Sequence, residues 1–230
     1  MQRRRSWKWW GGSAQCKIMD KTFWHQRWEE NKIAFHESQA NPLLVKYFKE
    51  LSLAKGTCVF VPLCGKSLDI HWLLSNGYRV AGAELSKIAV TQLFAELGVD
   101  PAVSGVGEME HYSADKIDIF CGDIIDLSRK MLGPVDATYD RAALVALPEE
   151  MRARYVAHLM EIADKAPQLL ICHEYDQSLM DGPPFSVSDE EVNHHYGGHY
   201  HLTRLASVDI PGGLKGKCAA KENVWLLRHD

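Results

Sequence analysis

Two short apolar runs, each ending in turn residues that hand over to a helical pattern, constrain this fold more than any other feature. The first, CVFVPLCG (58–65), stops at Gly65; SLDIHWLLSNG follows, with Ser67 placed as a helix N-cap and Gly77 as its stop. The second, YRVAGAEL (78–85), leads into SKIAVTQLFAELG, which ends at Gly98. A strand, a helix and a strand at this interval favour parallel pairing, because parallel neighbours need a long crossover.

The alternation continues. IDIFCGD (117–123) and VDATYDR (135–141) read as further strands, Pro148 opens the helix PEEMRARYVAHLMEIADK, and QLLICHEYD (168–176) follows. The polar stretch 100–114 reads as a connection. HLTRLASVDI (201–210) and ENVWLLRH (222–229), joined by a loop rich in Gly and Lys, are placed to pair as an edge hairpin. The expected architecture is α/β: a doubly wound, mainly parallel seven-stranded sheet with a terminal antiparallel hairpin. Between strand and hairpin, Ser188 and Glu191 form a capping box for a short helix ending at Gly197–Gly198.

The N-terminal side is helical from Phe23 to Leu53 in two runs, the second opened by Pro42. Residues 1–18, MQRRRSWKWWGGSAQCKI, differ from the rest. They have arginines and tryptophans but lack the apolar segment of a secretory signal, and read as a mobile extension before one domain, 19–230. The six cysteines are scattered without a CxxC pair, which argues against a disulfide framework or zinc knuckle and for a cytoplasmic protein. A net charge of −4 without a basic run beyond the first residues leaves nucleic acid no electrostatic footprint. No apolar stretch approaches the roughly 20 residues of a membrane span. A monomer is the default expectation.

In an open parallel sheet, ligands sit beyond the carboxyl ends of the strands. The residues there are Pro62–Ser67, Glu84, Asp123, Asp140, Arg141 and Glu174–Asp176. Glu84 lies 19 residues after Gly65, the interval at which an acid reaches the ribose hydroxyls of a nucleotide-like cofactor. The competing role is a plain helix N-terminal acid before Ser86. The GKS of PLCGKS does not make a phosphate loop: the position where that pattern places its first Gly holds Phe60. One Gly at a strand–helix turn suits a ligand without pyrophosphate, such as S-adenosylmethionine.

Together FWHQRW, AFH, VFVPLCGKSLDIHWL, GAELS, GDI, YDRAALVALPEEMR and GPPFSV resemble the thiopurine S-methyltransferase family, particularly its bacterial members. The resemblance implies a Rossmann-like fold, S-adenosyl-L-methionine as cofactor, and a small-molecule thiol or chalcogen acceptor. It implies cofactor contacts at Trp24, Phe35, Leu63, Gly65, Glu84, Asp123, Ile124 and Arg141, with Arg141 and Phe35 also on the acceptor. Bacterial members are also associated with selenium and tellurium methylation. A donor-binding sensor without turnover is the alternative of another class. The family's second acceptor-side arginine is absent from PGGLKGKCAAKEN, where Lys215 and Lys217 stand instead.

Arg141 is the expected catalytic residue, orienting a thiolate, with Asp140 holding it or a water. Trp24, Trp28 and Phe35 form either a lid or simply a buried aromatic face. Glu174 and Asp176 either face the acceptor or solvate a strand end. Cys64 reads as packing, and His194, His195, His199 and His201 as a solvated helix end rather than metal ligands; no metal is expected.

Overall fold

The computed structural model describes residues 21–33 and 37–229. Residues 1–18 and Phe35 therefore lie outside the described residues. Five strands form the parallel centre: β1 (Cys58–Val61), β2 (Arg79–Glu84), β5 (Ile117–Cys121), β6 (Ala137–Arg141) and β7 (Gln168–Tyr175). The expected terminal hairpin is present as β8 (His201–Asp209) and β9 (Ala220–Arg228); β9 pairs antiparallel with β7 and carries β8 at the edge.

The sheet has nine strands rather than seven, in the order β3-β4-β5-β2-β1-β6-β7-β9-β8. The polar stretch expected as a connection is a hairpin, β3 (Ala102–Val106) and β4 (Met109–Ala114), laid antiparallel on β5. Its outer strand is exposed almost throughout, so no apolar alternation marked it in the sequence. The seven expected strands remain consecutive inside the larger sheet.

Helices cover both faces, and successive residues of each strand point to opposite ones. On β1, Phe60 joins the core packed against α6 (Glu149–Ile162) and α7 (Asp189–Tyr196), through Tyr155, Leu159, Val192 and Tyr196. Val59 and Val61 join the other core, under α2 (Pro42–Tyr47), α3 (Leu68–Ser75) and α4 (Lys87–Leu97). A short helix, α5 (Arg129–Leu132), completes the set with α1 (Lys21–Glu29).

The local signals largely act as the sequence implies. Ser67 Oγ accepts from the Asp69 N–H to cap α3, and Gly98 ends α4 in the left-handed region at φ +67°. The capping box of α7 is only half formed. Ser188 accepts from the Glu191 N–H at 3.2 Å, but the Glu191 carboxylate turns to the Arg152 guanidinium, 2.6 and 2.7 Å from its two oxygens. Buried Arg152 also donates to the Leu147 and Ser186 carbonyls, fixing the GPPFSV segment against α6.

Candidate active site

The order of strands reverses at β1, which has β2 on one side and β6 on the other. Crevices that bind ligands form at such a point, beyond the carboxyl ends. Both chain segments that leave there are conformationally forced. Leu63, after β1, has φ +46° and Ala142, after β6, has φ +69°, in a region that side-chain-bearing residues rarely adopt. Such strain costs about 1–3 kcal/mol per residue and collects at functional sites.

Glu84 ends β2 and is buried. One carboxylate oxygen accepts the Gly65 N–H at 2.8 Å, the other the Ser86 N–H at 2.7 Å. One acid thus joins the turn after β1 to the start of α4. Burial pushes its pKa up against the pull of these N–H groups. Each oxygen keeps a further lone pair. Gly65 itself has φ +54°, and a Cβ there would stand 3.3 Å from the ring of buried Trp28.

Trp28 places α1 over the first turn, and Lys21, at the helix's other end, pairs with Asp123 at 2.8 Å. Asp123 also accepts the Ile125 N–H at 3.0 Å, opening the 3-10 turn Ile124–Asp126, in which Ile124 is buried. The helix therefore spans the turns after β1 and β5. Trp24 is half-buried on it, edge-on to Phe23.

Across the crevice, Arg141 ends β6 with a side chain only 13% exposed and reaches Glu37 at 3.1 Å. Burial works against its charge, but Tyr139, Asp69, Glu37 and Glu222 outweigh it and raise its pKa further. Its face of the sheet is braced from behind: Tyr139 donates to Asp69 at 3.0 Å, and Asp69 accepts the Asn41 N–H at 2.7 Å.

Asp140 corrects one expectation. As Arg141's neighbour on a strand it points to the opposite face, fully buried, where it accepts from the Tyr155 hydroxyl at 2.7 Å and the Leu144 N–H at 3.2 Å. It does not hold Arg141; it fixes the turn after β6. Burial, only partly offset by these donors, pushes its pKa up to about 6.

The remaining expected residues divide. Glu174 accepts from Asn223 at 2.6 Å and Asp176 caps a 3-10 turn through Ser178, so both brace loops. Lys215 donates to the Pro183 carbonyl at 2.7 Å and is drawn down in pKa by burial and then by Arg27 and Lys217, placing its loop near α1. Cys64 is buried, its thiol pushed well up by desolvation. His194 and His195 line an open groove with Glu149, Glu150 and Glu191, away from the crevice. Among the described residues no three His, Cys, Asp or Glu gather as a metal site, and no helix is long and apolar enough to cross a membrane.

Solved structures share this architecture. The Burkholderia thailandensis 1,6-didemethyltoxoflavin-N1-methyltransferase with bound S-adenosylhomocysteine superposes with a TM-score of 0.63 at 14% identity, covering 91% of this chain and 87% of that one. The magnesium protoporphyrin IX methyltransferase of Synechocystis PCC 6803 gives 0.61 at 15% identity, over 91% and 100%. At such identities the likeness concerns the fold. Sequence relatives are far nearer: a thiopurine S-methyltransferase of Xanthobacter autotrophicus is 58% identical over 91% of this chain and 99% of its own length. Another, from Teredinibacter turnerae, is 52% identical over 92% and 99%. The family model for thiopurine S-methyltransferase matches residues 19–230, and with that extent of identity the chain belongs to the thiopurine S-methyltransferase family.

Proposed function

We propose that the protein transfers a methyl group from S-adenosyl-L-methionine to the sulfur of a small aromatic or heterocyclic thiol. The observation that carries this reading is the switch point at β1, with the Gly65 turn anchored by Glu84 on one side and the mostly covered cation Arg141 on the other. The residues present fit the donor. The free lone pairs of Glu84 suit two vicinal hydroxyls, and the single Gly65 leaves no cradle for a pyrophosphate.

Glu84, Leu63, Gly65, Asp123 and Ile124 would hold the donor, with Trp24, Trp28 and Phe35 on the covering segment. When bound, S-adenosylmethionine supplies a sulfonium methyl that is already activated. The protein's work is then positioning: Arg141 orients the acceptor and favours its anionic form, while α1 keeps water away. The domain is read as residues 19–230, monomeric and cytoplasmic, and the free, buried state of the five described cysteines supports a reducing compartment. Tracing label from a methyl-labelled donor into a panel of aryl thiols and selenite tests the reading. Methylated aryl thiols are expected; donor binding without product from any acceptor would sink it.

A further inference from the structure

Arg141 holds a carboxylate that the proposed methyl transfer does not use. Its Nη2 donates to Glu37 Oε1 at 3.1 Å. The two partners are covered very unequally: the Arg141 side chain is 13% exposed with Glu37 in place, that of Glu37 59%. Glu37 thus lies toward solvent from the guanidinium, on the side from which a ligand has to approach. Three other groups shape the field at Arg141, namely Tyr139, Asp69 and Glu222. None of them is as free to leave. Asp69 is 2% exposed, with one oxygen taking the Asn41 N–H and the other the Tyr139 hydroxyl, and Tyr139 is itself buried. Glu222 is fixed within β9, opposite His173 of β7. Glu37 alone of the four stands outside any helix or strand.

The chain that carries Glu37 is anchored a few residues further on. Asn41 is buried; its N–H goes to Asp69, and its side-chain oxygen accepts the N–H groups of Leu43 and Leu44 to cap α2. Four residues of extended chain reach about 14 Å at most, so a released Glu37 stays close to Arg141. A partner tethered in this way acts as though it were present at about millimolar concentration.

We propose that Glu37 is a resident counter-ion of Arg141, exchanged for the anion of the acceptor, and so a residue that sets acceptor specificity. This rests on the proposed function. Between acceptors, Glu37 pairs a cation that is mostly withdrawn from water and would be costly to leave alone. An arriving thiolate competes with this tethered carboxylate and replaces it only where contacts of its ring add to the attraction of its charge. Small inorganic anions, which have charge alone to offer, are kept off Arg141. The class of acceptor favoured is therefore an aromatic thiolate rather than a bare anion.

The test measures binding by calorimetry in wild type, Glu37→Gln, Arg141→Gln and the double variant, with S-adenosylhomocysteine present so that no methyl is transferred. The probes are para-nitrothiophenol, an anion at neutral pH, and its uncharged methyl thioether. Glu37→Gln is expected to tighten thiolate binding about two- to fivefold, the range of a half-exposed ion pair, and to leave the thioether within about 1.5-fold. In the Arg141→Gln background the same substitution should change nothing. Weaker thiolate binding in Glu37→Gln would make Glu37 a support of Arg141, and unchanged binding would mean that the pair is never exchanged; either result overturns the proposal. So does a gain that persists without Arg141, which would be general repulsion between two anions. Wild type that binds neither probe would remove the proposed function, and the exchange with it.

Discussion

At the scale of single residues, the ionisable groups of the proposed site each carry their own test. Arg141→Ala removes one charge-assisted interaction, worth about 1.5–3 kcal/mol. Acceptor kcat/KM should therefore fall roughly 10- to 100-fold while the donor Kd stays put; an equal loss of both would take Arg141 off the acceptor. Asp140 offers a pH signature. Its pKa rises from an ordinary 3.8 to about 6 on folding, so between these values the native state keeps a proton that the unfolded chain releases. Stability attributable to this group is thus highest below about pH 4 and falls by about 3 kcal/mol as pH rises through 6. Denaturation midpoints of Asp140→Asn should lack that part of the wild-type slope. Alternation along a strand already tells that Asp140 and Arg141 cannot share a face, so this much is legible in the sequence. The pairing of Arg141 with Glu37 was not legible, because the two stand 104 residues apart in the chain and meet only once the sheet is built.

At the scale of elements, α1 is the part whose role the sequence left open. Aromatic residues at helical spacing look the same whether they fill a core or cover a ligand. The helix lands with Trp28 on Gly65 and Lys21 on Asp123, across two strand ends. Gly65→Ala should then act twice, through a backbone that disfavours a side chain and through a Cβ pressed on Trp28. A loss of about 1–2 kcal/mol in chemical denaturation, with weakened donor binding, is expected. Trp24→Ala should weaken donor binding in calorimetry with little change in thermal midpoint; unchanged affinity would leave Trp24 as packing only. The strand–helix alternation, the caps at Ser67 and Gly98 and the final hairpin were readable because each depends on local pattern. The β3–β4 hairpin was not, since an exposed edge pair has no apolar face to announce it.

At the scale of the whole molecule, the sheet separates two cores, and long-range ties hold the covering layers in place. One such tie is Arg152, on α6, buried and bonded to Glu191 of α7 and two carbonyls. Arg152→Met strands those acceptors, and a loss of about 3 kcal/mol in urea denaturation is expected, with loosening of the GPPFSV segment. The same architecture decides the fate of the protein's own sulfur. Four of its cysteines, Cys58, Cys64, Cys121 and Cys172, are buried with thiols pushed above their ordinary pKa by desolvation. Only a thiolate is a strong nucleophile. A protein that works with an alkylating donor thus keeps these thiols of its own protonated, and so poor nucleophiles toward it.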